Sequence, residues 1–251
     1  MSENKDYLFE VCCGSAEDAI EAEKGGADRI ELNSDLFHGG LTPTVGSLLT
    51  AKRHIHIPVM CMVRPREGGF CYTDTEFEVM LADAEMLLKN GADGIVFGFL
   101  NPDGTVNKTR TKMMLEVIGS KTSVFHRAID VTPNVFDALD VLIGLGVSRV
   151  LTSGQMPTVP MGAETIRKMI EYAAGRIEIL PGGGIDTSNA AWCRDKIGTK
   201  IMHAAIHRTA YDTSCSGNPA IYFGGAIYPP EDRFQIIDSN GVSEFAKKFK
   251  G

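Results

Sequence analysis

Gly25-Gly26-Ala27-Asp28-Arg29-Ile30 joins the end of a helical pattern to the start of a short apolar run. The same unit returns as Gly91-Ala92-Asp93-Gly94-Ile95 and as Gly146-Val147-Ser148-Arg149-Val150. In each, a glycine supplies the left-handed residue that ends a helix, and a strand follows at once. A unit reused in this way marks a repeated helix-to-strand architecture and not low-complexity sequence. Working outward, strand patterns fall at Tyr7–Val11, Arg29–Leu32, Val59–Val63, Gly94–Gly98, Ser123–Arg127, Ser148–Thr152, Ile177–Leu180 and Lys200–Ala204, giving eight. Helical patterns lie between them. The clearest is Thr75–Lys89, where Phe77, Met80, Leu81, Ala84, Leu87 and Leu88 share a face. Thr73 and Glu76 form a capping box at its start, and Asn90-Gly91 ends it.

Parallel strands joined by helices admit either a closed (β/α)8 barrel or a doubly wound sheet. The barrel is favoured, because the turn after strand one, Cys12-Cys13-Gly14-Ser15, holds one glycine where a dinucleotide-binding turn needs several. A length of 251 residues is ordinary for one barrel, and no linker or composition shift divides the chain. The sequence therefore predicts a single α/β domain, a TIM-type barrel over residues 1–251. Its last helix is expected at Val242–Phe249, with Val242, Phe245, Ala246 and Phe249 on one face. The segment Ile206–Asp238 fits no helix and is expected as a long irregular stretch after strand eight, a candidate for local function or a homodimer contact.

The composition is 43% hydrophobic, with 32 acids against 25 bases and a net charge of −7. That balance argues against nucleic acid or an anionic membrane as partner, since both require a dense basic face. The N-terminus Met1-Ser2-Glu3-Asn4-Lys5-Asp6 shows no signal-peptide pattern. The longest charge-free run, Thr213 to Pro230, is broken by Gly217, Gly224, Gly225, Pro219, Pro229 and Pro230, so no membrane span is expected. A cytoplasmic setting follows. The six cysteines form no C-x-x-C pair and are expected as thiols.

In such a barrel, functional groups gather where strands end and the following loops begin. Those positions hold Glu10, Cys12, Glu31, Asn33, Arg64, Arg66, His126, Arg127, Asp130, Ser153, Gly182-Gly183-Gly184 and His203. Taken singly, most have a bland reading as solvated rim residues; together they suggest a site. Arg64, Arg66 and Arg127 would attract a small anion, since guanidinium forks match carboxylate and phosphate. Ser153 and the amides of Gly183 and Gly184 would assist, in a loop placed before a helix capped by Thr187 or Ser188. Glu10, Glu31, His126, Asp130 and His203 are candidates for acid and base work, with Glu31 and His126 the leading pair. Glu31 lies in phase with Arg29, so both point the same way; if inward, they need buried partners. The imidazoles and carboxylates also suit zinc, manganese or iron, although no H-x-E or H-x-x-x-H spacing supports it. Soft ligands are the other option: Cys12 and Cys61 lie on strands one and three, whose inward residues share a layer, and thiolates favour Cu(I). Buried cysteine as plain core is the competing reading. No organic cofactor is indicated.

Phe9-Glu10-Val11-Cys12, Gly25 to Leu32, Gly39-Gly40-Leu41-Thr42-Pro43-Thr44, Val63-Arg64-Pro65-Arg66, Phe70-Cys71-Tyr72, Phe125-His126-Arg127-Ala128, Arg149 to Gly154 and Pro181-Gly182-Gly183-Gly184 together resemble the copper homeostasis protein CutC family, over about residues 7 to 204. The resemblance implies a (β/α)8-type barrel, a cytoplasmic protein, and copper handling with cysteine ligands. Cys12 matches the cysteine of the first strand motif. Asn33 stands where relatives often read Glu-Leu-Cys, and His203-Ala204-Ala205 where they often read His-x-Ser, so one soft ligand and one hydroxyl are missing. Two functions are thus expected as alternatives. One is copper binding or handling; the other is an enzyme acting on a small phosphorylated or carboxylated metabolite at the barrel mouth.

Overall fold

The computed structural model describes residues 7–218, 220–223 and 231–251. Strands and helices alternate as β1 (Leu8–Cys13), α1 (Ala16–Lys24), β2 (Arg29–Leu32), α2 (Val45–His54), β3 (Val59–Met62), α3 (Asp74–Lys89), β4 (Gly94–Phe97), α4 (Lys108–Ile118) and β5 (Thr122–Phe125). They continue as α5 (Val135–Leu145), β6 (Arg149–Thr152), α6 (Val159–Ala173), β7 (Glu178–Pro181), α7 (Ala190–Ile197) and β8 (Ile201–Ala204). The eight strands form one parallel sheet in the order β7-β6-β5-β4-β3-β2-β1-β8. A parallel bridge between Gly182 and His203 draws the ends of β7 and β8 together and makes the barrel nearly closed. The expected TIM-type α/β barrel is what the chain forms.

Each strand is buried on both faces, and alternation divides its side chains between two environments. Phe9, Val11, Cys13, Ile30, Leu32, Val59, Cys61, Ile95, Phe97 and Phe125 pack outward into the core shared with the helices. Met60, Met62, Val96, Val124, Leu151 and Leu180 form a separate cluster inside the barrel. The rest of the interior is charged. Glu10 accepts from Arg29 Nε, Arg149 Nη1 lies 4.0 Å from Glu10, and Arg149 Nε pairs with Glu178. Arg29 and Arg149 are 5% and 8% exposed, so the inward charges do meet buried partners.

The capping box of α3 is formed: Glu76 N–H donates to Thr73 Oγ1 (3.2 Å) and Thr73 N–H to Glu76 Oε2 (2.7 Å). At the other end of the chain, the stretch expected to be irregular contains an antiparallel ribbon. β9 (His207–Tyr211) pairs with β10 (Arg233–Ile237), and residues 219 and 224–230 of that stretch lie outside the described residues. The ribbon is tied to the barrel by the Ile237 N–H, which donates to Asp18 Oδ1 (2.8 Å). It leads into α8 (Ser239–Lys250), whose Phe245 stacks on Phe9 with ring centroids 4.3 Å apart.

Gly162 shows how closely the layers approach. A Cβ there would lie 1.9 Å from the Ser153 carbonyl oxygen, so α6 rests on the backbone that follows β6. Gly144, in the last turn of α5, would place a Cβ in open space. Alanine ordinarily stabilises a helix over glycine by up to about 1 kcal/mol. We expect Gly144→Ala to raise the urea midpoint and Gly162→Ala to lower stability by about 2 kcal/mol or more. Matching effects of one sign would refute the close approach.

Candidate functional site at the barrel mouth

A cavity of about 580 Å³ opens at the C-terminal ends of the strands. Cys12, Glu31, Met62, Arg64, Phe70, His126, Arg127, Asp130, Gly182 to Asp186, and His203 line it. Of the residues expected there, the structure brings together Cys12, Glu31, Arg64, His126, Arg127, Asp130, Gly183, Gly184 and His203.

Four expected residues sit elsewhere. Cys61 pairs in register with the outward Leu32 and packs in the core between sheet and helices, so it cannot join Cys12. Its inward neighbour Met62 lines the cavity instead. Arg66 is held outside the mouth by Glu76, with Nε 2.5 Å from Oε1, by the carbonyls of Glu67, Gly69 and Cys71, and by the Tyr72 ring. Ser153 is fully buried beneath the rim, where its Oγ accepts from Arg127 Nη2 (2.6 Å). Glu10 lies one layer below the cavity, behind His203. Asp130 lines the mouth, but it accepts from Thr152 Oγ1, the amides of Ser153 and Gln155, and Arg127 Nε, which suits loop bracing better than proton transfer. The glycine loop is followed by Asn189 as N-cap of α7, not by Thr187 or Ser188.

The polar wall is a linked set. His203 Nδ1 lies 2.8 Å from Glu10 Oε1. Burial would raise the Glu10 carboxyl, but Arg29 and the His203 contact bring it down to about 2. Burial opposes protonation of His203, yet Glu31 and the contacts with Cys12 and Glu10 hold it well above its ordinary value. Glu31 is itself raised, by burial and by Glu10, against the pull of His203 and Asn33. Asn33 Nδ2 donates to Glu31 Oε1 (2.9 Å), while the buried Oε2 has no hydrogen-bond partner among the described residues. Burial pushes the Cys12 thiol up to about 12. Ligand atoms of Cys12, Glu31 and His203 lie within 4.8 Å of one another. Sequence reasoning named all three residues, but placed Cys12 in a soft-ligand set with Cys61 and Glu31 and His203 in a separate imidazole–carboxylate set; no local spacing links positions 12, 31 and 203.

A model of the CutC family matches residues 7–208. The chain belongs to the CutC family. It is 50% identical to the family protein CutC of Treponema denticola over 246 residues, covering 98% of this chain and 99% of that protein. It is 39% identical to the human copper homeostasis protein cutC homolog, covering 94% of this chain and 86% of that one. The crystal structure of a Streptococcus agalactiae CutC superposes with a TM-score of 0.76 at 31% identity, over 79% of this chain and 98% of that chain. Among the described residues, no helix is long and apolar enough to cross a membrane.

On the opposite wall of this CutC mouth, His126 Nδ1 accepts the Ala128 N–H (3.1 Å), and burial together with the Arg64 charge pushes the imidazole down to about 3. Its unfolded form takes a proton below about pH 6.5, whereas the folded form resists until about 3. The folded-state value is depressed, so the contribution to stability is complete above pH 6.5 and is lost as the pH falls toward 3. Urea midpoints measured at about pH 7.5 and about pH 5 should fall further for the wild-type chain than for His126→Gln. Equal falls would mean that His126 is not held neutral.

Proposed function

We propose that the chain handles copper, with the ion as cargo held by Cys12, His203 and Glu31 at the barrel mouth. The observation that carries this reading is the convergence of one thiol, one imidazole and one carboxylate within 4.8 Å, the carboxylate keeping a buried oxygen without a partner among the described residues. The donor chemistry fits: sulfur and imidazole both suit copper, and the thiol is the softer donor that favours Cu(I). Glu10 on Nδ1 leaves Nε2 of His203 as ligand atom, and a carboxylate on the far nitrogen is the usual support for a metal-bound histidine. The carboxylates that keep a proton on His203 make the same spot favourable for a cation that displaces it. The copper homeostasis name of the human relative agrees with this reading. A cytoplasmic setting would keep Cys12 reduced.

The enzyme alternative keeps two of the three arginines that suggested it, Arg64 and Arg127, while Arg66 is engaged outside the mouth. What persists of it is a wall formed by Arg64, Arg127 and His126.

Anaerobic Cu(I) titration against a chromophoric chelator should show a single tight equivalent. Cys12→Ser should abolish it, Glu10→Gln should weaken it roughly 10–100-fold by loosening His203, and Cys61→Ser should leave it intact. Unchanged binding in Cys12→Ser would sink the proposal.

A further inference from the structure

The wall facing away from the thiol is built for a different ligand. Because His126 Nδ1 accepts from the Ala128 amide, the proton of its neutral ring sits on Nε2. That atom is buried and has no hydrogen-bond partner among the described residues, although His126, 4% exposed, lines the cavity. A buried donor without an acceptor is costly, and a ligand oxygen would relieve it.

Positive charge lies beside it. Arg64, 7% exposed, donates Nη1 to the carbonyls of His38 and Gly40 and Nη2 to that of Gly68, all neutral acceptors. No carboxylate pairs with it among the described residues. Arg127 gives Nε to Asp130 and Nη2 to Ser153 Oγ, which leaves Nη1. Gly183, at φ +116°, lies against that atom; a Cβ there would stand 3.0 Å from Nη1. The loop therefore leaves the guanidinium face uncovered.

We propose that this wall binds a small organic carboxylate, with one oxygen accepting from His126 Nε2 and the charge held by Arg127 Nη1 in the field of Arg64. The mouth also holds Asp130 and Asp186, so a monoanion is favoured over a phosphate dianion. This site goes beyond the copper reading and shares only the cavity with it.

Metal-depleted full-length protein, in buffer without carboxylates or phosphate, is titrated with pyruvate, acetate and lactate, and separately with inorganic phosphate. Binding is read by calorimetry and by the His126 side-chain nitrogen signals. Saturable binding of a carboxylate that shifts His126 Nε2 is expected, with phosphate weaker. Arg127→Met and His126→Gln should each weaken it roughly tenfold or more, the loss of one hydrogen bond to a charged group. Arg127→Lys keeps the charge and should retain part of the affinity, which separates charge loss from misfolding. Cys12→Ser should bind the carboxylate as the wild type does, so failure of copper binding leaves this result standing. No saturable response to any of the three carboxylates, tighter binding of phosphate, or loss of binding in Cys12→Ser would each overturn the assignment.

Discussion

Inside the barrel, Glu10 is 1% exposed and would be untenable as an anion if it stood alone. Arg29, Arg149 and His203 surround it, each carried by a different strand. The register makes this automatic: in the β1 ladders, Glu10 is opposite both Arg29 and His203. Deleting one partner would strand a buried charge at a cost of about 3–5 kcal/mol. The hub also fixes the His203 ring, and His203 in turn faces Cys12 and Glu31. Fold stability and the geometry of the mouth thus depend on the same carboxylate.

The interior is consequently two-sided. Met60, Met62, Val96, Val124, Leu151 and Leu180 form an apolar part, while Glu10, Arg29 and His203 of β1, β2 and β8, with Arg149 and Glu178 of β6 and β7, form an ionic one. An ordinary barrel interior is packed with branched apolar side chains. At the mouth itself the charges of Glu31 and His203 stand beside Cys12, above a network that Arg149 and Glu178 of β6 and β7 also join, and the opposite sector is left to the neutral His126 and the arginines. The two walls differ in character because the strands beneath them differ.

Much of this was legible in the sequence. The alternation of eight short apolar runs with helical patterns, three of them joined by the glycine-bounded unit, set strand number and direction, and the strand-end rule found most of the residues that line the cavity. The phase of Arg29 and Glu31 implied buried partners, which Arg29 finds in Glu10 and Glu31 finds at one oxygen only, in the Asn33 amide. Applied to β3, the same alternation would have turned Cys61 outward, since its register partner Leu32 lies out of phase with Glu31. Other features depend on long-range pairing. Glu76 was readable as a capping residue, but not as the carboxylate that removes Arg66 from the mouth. The β9–β10 ribbon joins segments such as Arg208-Thr209 and Gln235-Ile236, whose polar, exposed strands and distant ends carry no tight-turn signal.

Asn33 shows what one position does to the chemistry. Its amide lies 2.9 Å from Glu31 Oε1 and 3.5 Å from Cys12 Sγ, so the residue at 33 touches both donors. The resemblance drawn from the sequence implies a cysteine at this position, which would set a second thiol beside the first. Asparagine instead orients the Glu31 carboxylate, leaving its other oxygen unpartnered among the described residues. The donor set thereby shifts from two sulfurs toward sulfur, nitrogen and oxygen, which is less selective for Cu(I) over divalent ions. If this set holds copper as proposed, its selectivity comes from the burial of the thiol. Burial holds Cys12 protonated to about 12, so only an ion that binds sulfur strongly can displace that proton near neutral pH.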